Sequence, residues 1–421
     1  MATFIKNNRF SFILLGSMIV GSIIGAVWGP GASALNPIAD LFLNLLYCCV
    51  VPMIFVSLVS SISKMKNLRK LGKVLGIMAV VVIGTQIIAS LYMALVCGAF
   101  NPAQGAVVDF SEEVGELASS TNFLSMFTVN DFSLLWSRKS LMALIVFAML
   151  TGVALVSIGE KGKAVSAVFD SAQELIMKLV SYVMYLAPIG LGAFFAVLIG
   201  QQGAALVGPL SRAIIIYMIA ALVYYLGFHS IYAFIGGGML GVKRYWANIL
   251  PLSLTALGTC SSAACIPLNL IATKKIGVSD DIADITIPLG TNLHKDGACL
   301  ITILKIAFMC TMFNINFFEP RILLTSVMVS VIASSVMGAI PAGGYVGEIF
   351  IISAFNFPAV SIPIMVLIGT ITDAPATAIN AAIHAPTAMI VSRFTEGKDW
   401  LKRRLENGTL KELDETVKVA S

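Results

Sequence analysis

KRYWANILPLSLTALGTCSSAACIPLNLIATKK, residues 243–275, decides the fold. The basic pairs Lys243/Arg244 and Lys274/Lys275 close off an apolar segment, 246–273, about long enough to cross a bilayer once. Cytoplasmic flanks of membrane segments carry an excess of Lys and Arg. Both ends therefore lie on one side, and a single straight crossing would strand one pair on the wrong side. The middle of the segment drops to small polar residues, Thr259-Cys260-Ser261-Ser262-Ala263-Ala264, with Pro251 and Pro267 on either side. Half a helix in, a polar turn and half a helix out satisfies charge and composition together.

The rest of the chain provides the setting. It has 421 residues, 58% hydrophobic and 12% charged, with a mean hydropathy of +0.93. Soluble domains carry charged residues at about twice that frequency, so this is an all-α polytopic membrane protein. Apolar windows fall near 10–30, 36–62, 74–99, 139–159, 170–199 and 208–238, then less regularly near 246–273, 282–312, 322–358 and 360–392. The run after Lys6 and Arg9 lacks a small-residue cleavage site and reads as a first membrane helix. Clusters at Lys6/Arg9, Lys64/Lys66/Arg69/Lys70/Lys73, Lys161/Lys163 and Lys398/Lys402/Arg403/Arg404 face the cytoplasm, and so do both termini. The 101–136 loop, with Asp109, Glu112, Glu113, Glu116 and Asp131 and no Lys or Arg, lies outside. The net charge of +5 is thus topological and implies no nucleic-acid partner.

Segment 322–358 turns at Met337-Gly338-Ala339-Ile340-Pro341-Ala342-Gly343-Gly344 and must start and end outside if the basic tail is inside. The count is eight transmembrane helices plus two re-entrant helical hairpins entering from opposite faces. Two kinked helices are the alternative. Irregular backbone at membrane depth is tolerated only where protein or a water-filled cavity satisfies its polar groups. Paired interrupted segments point to a transporter's substrate site. The seven cysteines lie in apolar stretches without metal-site spacing, which argues against a disulfide framework or zinc site. No Gly-Lys-Ser/Thr run suggests ATP-driven transport, and no cofactor is implied.

Several runs resemble the dicarboxylate/amino acid:cation symporters, the glutamate-transporter-like proteins, with the sodium/serine-threonine symporter subgroup the nearest in motif. They are Val51-Pro52-Met53-Ile54-Phe55, Leu186-Ala187-Pro188-Ile189-Gly190, Ser261-Ser262-Ala263-Ala264-Cys265-Ile266-Pro267, Ile287-Pro288-Leu289-Gly290-Thr291, Ile340-Pro341-Ala342-Gly343-Gly344, and the last helix around Asp373 and Asn380. The resemblance covers nearly the whole chain in order. It implies a homotrimeric, elevator-type transporter with inverted repeats in the plasma (inner) membrane. Scaffold helices 1–2 would occupy 1–73 and helices 4–5 would occupy 137–200, with an extracellular loop at 101–136. The mobile transport domain would combine helix 3 (74–100) with residues 201–393: helix 6, hairpin 1 near 246–273, helix 7 near 282–312, hairpin 2 near 322–358 as outer gate, and helix 8. A cytoplasmic tail, a solvated helix or a disordered end, would follow at 394–421.

The resemblance also assigns a site. Asp373 would hold the substrate's amino group and Asn380, two turns on along the same face, its carboxylate. Thr377, Ser261, Ser262 and the outer hairpin turn at Ile340, Pro341, Ala342 and Gly343 would complete the cradle. Half-helix N-termini aimed at the site favour an anion. Members that carry acidic amino acids place an arginine on the last helix or in the first hairpin, where this chain has Ala376 and Cys260. Without a guanidinium to pair bidentately with a second carboxylate, a small neutral amino acid is the expected substrate; Lys295 is the cation that counts against this.

The cation positions depart most: Thr85, Gly290, His294, Lys295, Asp296 and His384. The family's Asn-Met-Asp-Gly reads His294-Lys295-Asp296-Gly297, and its sodium-binding aspartate on the last helix aligns with His384. Sodium prefers carboxylate and carbonyl oxygens, whereas imidazole suits protons and transition metals. Three coupling modes follow: H+ through His294/His384, uncoupled exchange with Lys295 replacing sodium, or residual Na+ coupling through Asp296 and Thr85. Lys295 is expected to pair with Asp296, to fill a cation cavity, or to lie near Asp373 as its structural counter-ion. Two histidines without a third ligand make no certain metal site. His229 reads as structural, Asp284 as interfacial, and Lys305, Glu348 and Arg212 as interfacial or snorkelling. A serine enzyme built on Ser262 and His294 is disfavoured, because no Gly-x-Ser-x-Gly elbow surrounds Ser262; a channel is a further rival.

Overall fold

A computed structural model describes residues 9–63, 68–105, 128–137, 140–202, 207–336, 343–358 and 361–406, and every regular element in them is helical. In chain order these are α1 (Arg9–Trp28), α2 (Asn36–Ser63), α3 (Leu68–Phe100), α4 (Leu141–Ser157), α5 (Lys163–Tyr185), α6 (Ala187–Gln202), α7 (Val207–Val223) and α8 (His229–Thr259). They continue as α9 (Ile266–Ile276), α10 (Asp280–Leu293), α11 (Asp296–Met312), α12 (Pro320–Val336), α13 (Gly343–Phe355), α14 (Ser361–Ala382), α15 (His384–Glu396) and α16 (Trp400–Glu406). The stretch Lys73–Phe100, 28 residues, spans about 42 Å at 1.5 Å per residue, more than the ~30 Å hydrocarbon core.

The continuous stretch Gly208–Thr259 has 52 residues, about 78 Å and far too long for one crossing. It folds back at Gly237 and Gly238, the latter at φ 64°, ψ −160°, a conformation open to glycine alone. Helix 6 therefore ends at Gly236, and the first hairpin arm starts at Met239 instead of 246. The arm stops at Thr259, where Cys260 takes a left-handed backbone (φ 48°), and α9 runs back from Ile266. Arg244 then donates to the carbonyl oxygens of Ile276 (2.7 Å) and Lys275 (2.5 Å). The two basic flanks meet at one end of the segment, as a hairpin requires and a straight span forbids. In the second hairpin α12 and α13 pack together; the turn residues 337–342 lie outside the described residues, as do most of the 101–136 loop and the tail beyond 406.

Three expected spans are broken. The 170–199 span divides at Leu186, because Pro188 cannot donate into the helix. The 282–312 span divides at His294-Lys295, whose backbones leave the helical region. The last span is interrupted more lightly at Ile383, which keeps a helical backbone (φ −65°, ψ −22°), with Pro386 three residues on. There Pro386 frees the carbonyl of Ala382, which lies 3.5 Å from Tyr245 O–H, and the Asn269 amide donates to the neighbouring carbonyl of Ala381 (2.7 Å). Helix α1 packs along α6, and α2 against α4, α5 and α6. Separately, α11 packs against α3 and α14, and α8 against α14 and α15. The start of the tail is docked: Trp400 and Leu401 are buried, and Trp400 Nε1 donates to the Gly236 carbonyl (2.8 Å).

Candidate functional site

The break between α10 and α11 brings the cation-position residues together. Thr85 on α3 faces it, with Oγ1 2.7 Å from His294 Nε2 and 3.3 Å from Asp296 Oδ1. His294 Nε2 lies 3.1 Å from Asp296 Oδ1, while its Nδ1 lies 3.3 Å from Thr387 Oγ1. The other carboxylate oxygen of Asp296 accepts from Tyr224 O–H at 2.7 Å. All of these side chains are buried. Tyr224 is presented by a π-helical turn, Tyr224–Phe228, a distortion frequent at functional sites.

His384 stacks obliquely on His294, ring centroids 5.9 Å apart. Its Nε2 lies 3.2 Å from the carbonyl oxygen of His294 and its Nδ1 3.2 Å from the Asn269 amide nitrogen. One ring nitrogen thus faces an acceptor and the other a donor, which describes a neutral imidazole protonated at Nε2. Gly290 lies beneath this ring: a Cβ there would come within 2.8 Å of His384 Cδ2. Gly290→Ala is therefore expected to destabilise the protein by about 1–3 kcal/mol, seen as a lower melting temperature in detergent.

Lys295 takes one of the places the sequence left open, the neighbourhood of Asp373. Asp296 is occupied by His294, Thr85 and Tyr224, and the buried Lys295 lies within electrostatic reach of Asp373 instead. Asp373 is exposed and within electrostatic reach of Lys295, Lys305, Tyr217 and Cys260. Thr377, one turn on, donates to its carboxylate. Asn380 Oδ1 accepts from the backbone N–H of Ala298 (3.3 Å) in the first turn of α11. In the first hairpin turn, Ser261 and Ser262 are half-buried and Ser261 Oγ accepts from Ala264 N (3.3 Å). Of the outer turn, Ile340, Pro341 and Ala342 lie outside the described residues, while Gly343 begins α13.

Lys305 and Glu348 are not interfacial. They form an ion pair between α11 and α13 with side chains 6% and 2% exposed; too deep to snorkel, each charge is met by the other. Arg212 does lie at the surface, donating to the carbonyls of Phe100 and Asn101 at the end of α3 (both 3.0 Å). Lys274 bridges Asp280 and Asp284 at 3.1 and 2.9 Å, in keeping with an interfacial Asp284. His229 is buried, with Nδ1 2.8 Å from Tyr245 O–H. Tyr224, Asn269 and Thr387 went unnoticed in the sequence. Their signal was a polar group inside an apolar stretch, weak for Thr and Tyr, which such stretches readily carry.

A family model described as the sodium:dicarboxylate symporter family matches residues 10–394. The chain is 26% identical over 413 residues to a proton/glutamate-aspartate symporter of Bacillus subtilis (strain 168), covering 93% of this chain and 97% of that one. It is 25% identical over 361 residues to a C4-dicarboxylate transport protein of the same organism, covering 83% of each. It is also 26% identical over 399 residues to a proton/sodium-glutamate symport protein of Bacillus caldotenax, covering 90% of this chain and 92% of that one.

Proposed function

The chain belongs to the sodium:dicarboxylate symporter family, and from that premise we propose that it imports a small neutral amino acid, such as serine or threonine, with a proton in place of sodium. It is a multi-pass membrane transporter. The finer reading puts it in the plasma (inner) membrane with both termini cytoplasmic, as a homotrimer whose transport domain moves like an elevator.

One observation carries the coupling: the His294 imidazole lies between Thr85 and Asp296, at 2.7 and 3.1 Å. A sodium ion needs several oxygens converging on one point, and a ring nitrogen occupies that point. An imidazolium has a donor on each side, and here Asp296 and Thr387 offer an acceptor on each side. His294 is accordingly the proton carrier, with Asp296 as its counter-charge. His384, fixed as a neutral ring by Asn269 and the His294 carbonyl, positions His294. The two histidines thus divide a role that the sequence assigned to both.

Substrate selectivity rests on Asp373, Ala376 and Cys260. The ammonium of an amino acid displaces Lys295 as the partner of Asp373. Neither Ala376 nor Cys260 offers a cation for a second carboxylate, although the relatives are named for glutamate, aspartate and C4-dicarboxylates. Labelled serine uptake into proteoliposomes, under an inward proton gradient, a sodium gradient and neither, tests the coupling. Uptake is expected to follow the proton gradient at zero sodium; uptake that requires sodium and ignores the proton gradient would refute it.

A further inference from the structure

We propose that Glu348 is a specificity-determining residue, which withholds the Lys305 ammonium from a second carboxylate on the substrate. The inference rests on the neutral-substrate reading above. Glu348 stands on the second arm of the outer hairpin and Lys305 on α11; their ion pair is buried and closes against α14 at Gly369. A Cβ at Gly369 would come within 2.7 Å of Lys305 Nζ and 3.1 Å of Glu348 Oε1, so glycine is what admits the pair. Gly369 lies four residues before Asp373, about 6 Å along the helix, and both charges act on the Asp373 carboxylate. A substrate whose α-amino group sits at Asp373 thus has its side chain near the pair, within reach of the long, flexible lysine stem.

Charge accounting gives the mechanism. Lys295 and Asp373 form one opposite-charge couple, and Lys305 and Glu348 the other, so the four groups sum to zero. A zwitterionic neutral amino acid enters without changing that sum. A substrate with a second carboxylate adds a negative charge in a largely desolvated region, where unpaired charge is costly. Lys295, released from Asp373, is met by the substrate's own α-carboxylate, and the remaining cation, Lys305, is already held by Glu348, one of whose oxygens, Oε2, has no hydrogen-bond partner among the described residues. Exclusion of the wrong ligand by a like charge is a common route to specificity.

Removing the carboxylate should release the lysine. The test uses the purified full-length transporter, with binding read as competition against labelled serine and folding read from melting without ligand. Wild type is expected to bind serine and exclude aspartate. Glu348→Gln is expected to gain about tenfold or more in aspartate affinity, the worth of one charge-assisted hydrogen bond. The gain should vanish in the double variant Lys305→Met/Glu348→Gln, while Glu348→Asp retains exclusion. Gly369→Ala separates the pair without removing either charge and is expected to relax exclusion in the same direction. Wild type that binds aspartate as well as serine overturns both the neutral-substrate reading and the masking role. Wild type that binds serine alone, with Glu348→Gln and Gly369→Ala still excluding aspartate, overturns the masking role and leaves the substrate reading standing.

Discussion

Asp373→Ala is expected to lose amino acid binding by roughly thirtyfold or more, because truncating one partner of a charge pair that the bound substrate closes off from water costs about 2–5 kcal/mol. The carboxylate is exposed on α14, with the Thr377 hydroxyl one turn on and Lys295 within electrostatic reach. An incoming ammonium exchanges one cation for another at this carboxylate, so binding adds little net charge to the interior. With alanine in its place, Lys295 stays buried without its counter-charge and repels the same ammonium. Asp373→Asn keeps the shape and the Thr377 contact but not the charge, and is expected to fall nearly as far. Titration of labelled serine into the purified variants measures this directly. Wild-type affinity in Asp373→Ala would remove Asp373 from the site.

The hairpin was legible because charge is expensive to misplace. Lys243/Arg244 and Lys274/Lys275 could not lie on opposite faces, and the hydrogen bonds from Arg244 to Lys275 and Ile276 are the physical form of that constraint. Thr85, His294, Asp296 and His384 were legible as a group only through the resemblance, since 209 residues separate Thr85 from His294 along the chain. What spacing could not reveal was pairing. Lys295 and Asp296 are neighbours in sequence, yet the non-helical backbone at His294-Lys295 sends them to different partners. Lys305 and Glu348 fall about two and three helical turns from apparent segment ends, toward which a long side chain ordinarily reaches. Only the packing of α11 against α13 and the missing side chain at Gly369 make an interior pair possible. The start of the first arm was misjudged because Gly237-Gly238 sits within an unbroken apolar run, and a glycine pair alone does not distinguish a kink from a full reversal.

Asp296→Ala is expected to destabilise the transporter by about 3–5 kcal/mol and to abolish proton-driven uptake. Asp296 is fully buried and collects contacts from Tyr224, Thr85 and His294 at 2.7, 3.3 and 3.1 Å. Hydrogen bonds to a charged group are each worth about 1.5–3 kcal/mol, and donors left unpaired in the interior carry their own penalty. Breaking a buried ionic partnership costs about 3–5 kcal/mol, and under the proposed coupling it also removes the counter-charge of the transported proton. Stability and coupling can be separated by two milder changes. Tyr224→Phe removes one donor and leaves the carboxylate, so it is expected to cost about 1–3 kcal/mol while proton-driven uptake persists. Asp296→Asn preserves volume and an acceptor oxygen, so its melting temperature should fall less than that of Asp296→Ala, yet without a negative charge His294 has no reason to bind a proton in the interior. Melting in detergent and uptake under an inward proton gradient distinguish the three. If Asp296→Asn still follows the proton gradient, the proton is carried elsewhere and His294 is a packing residue.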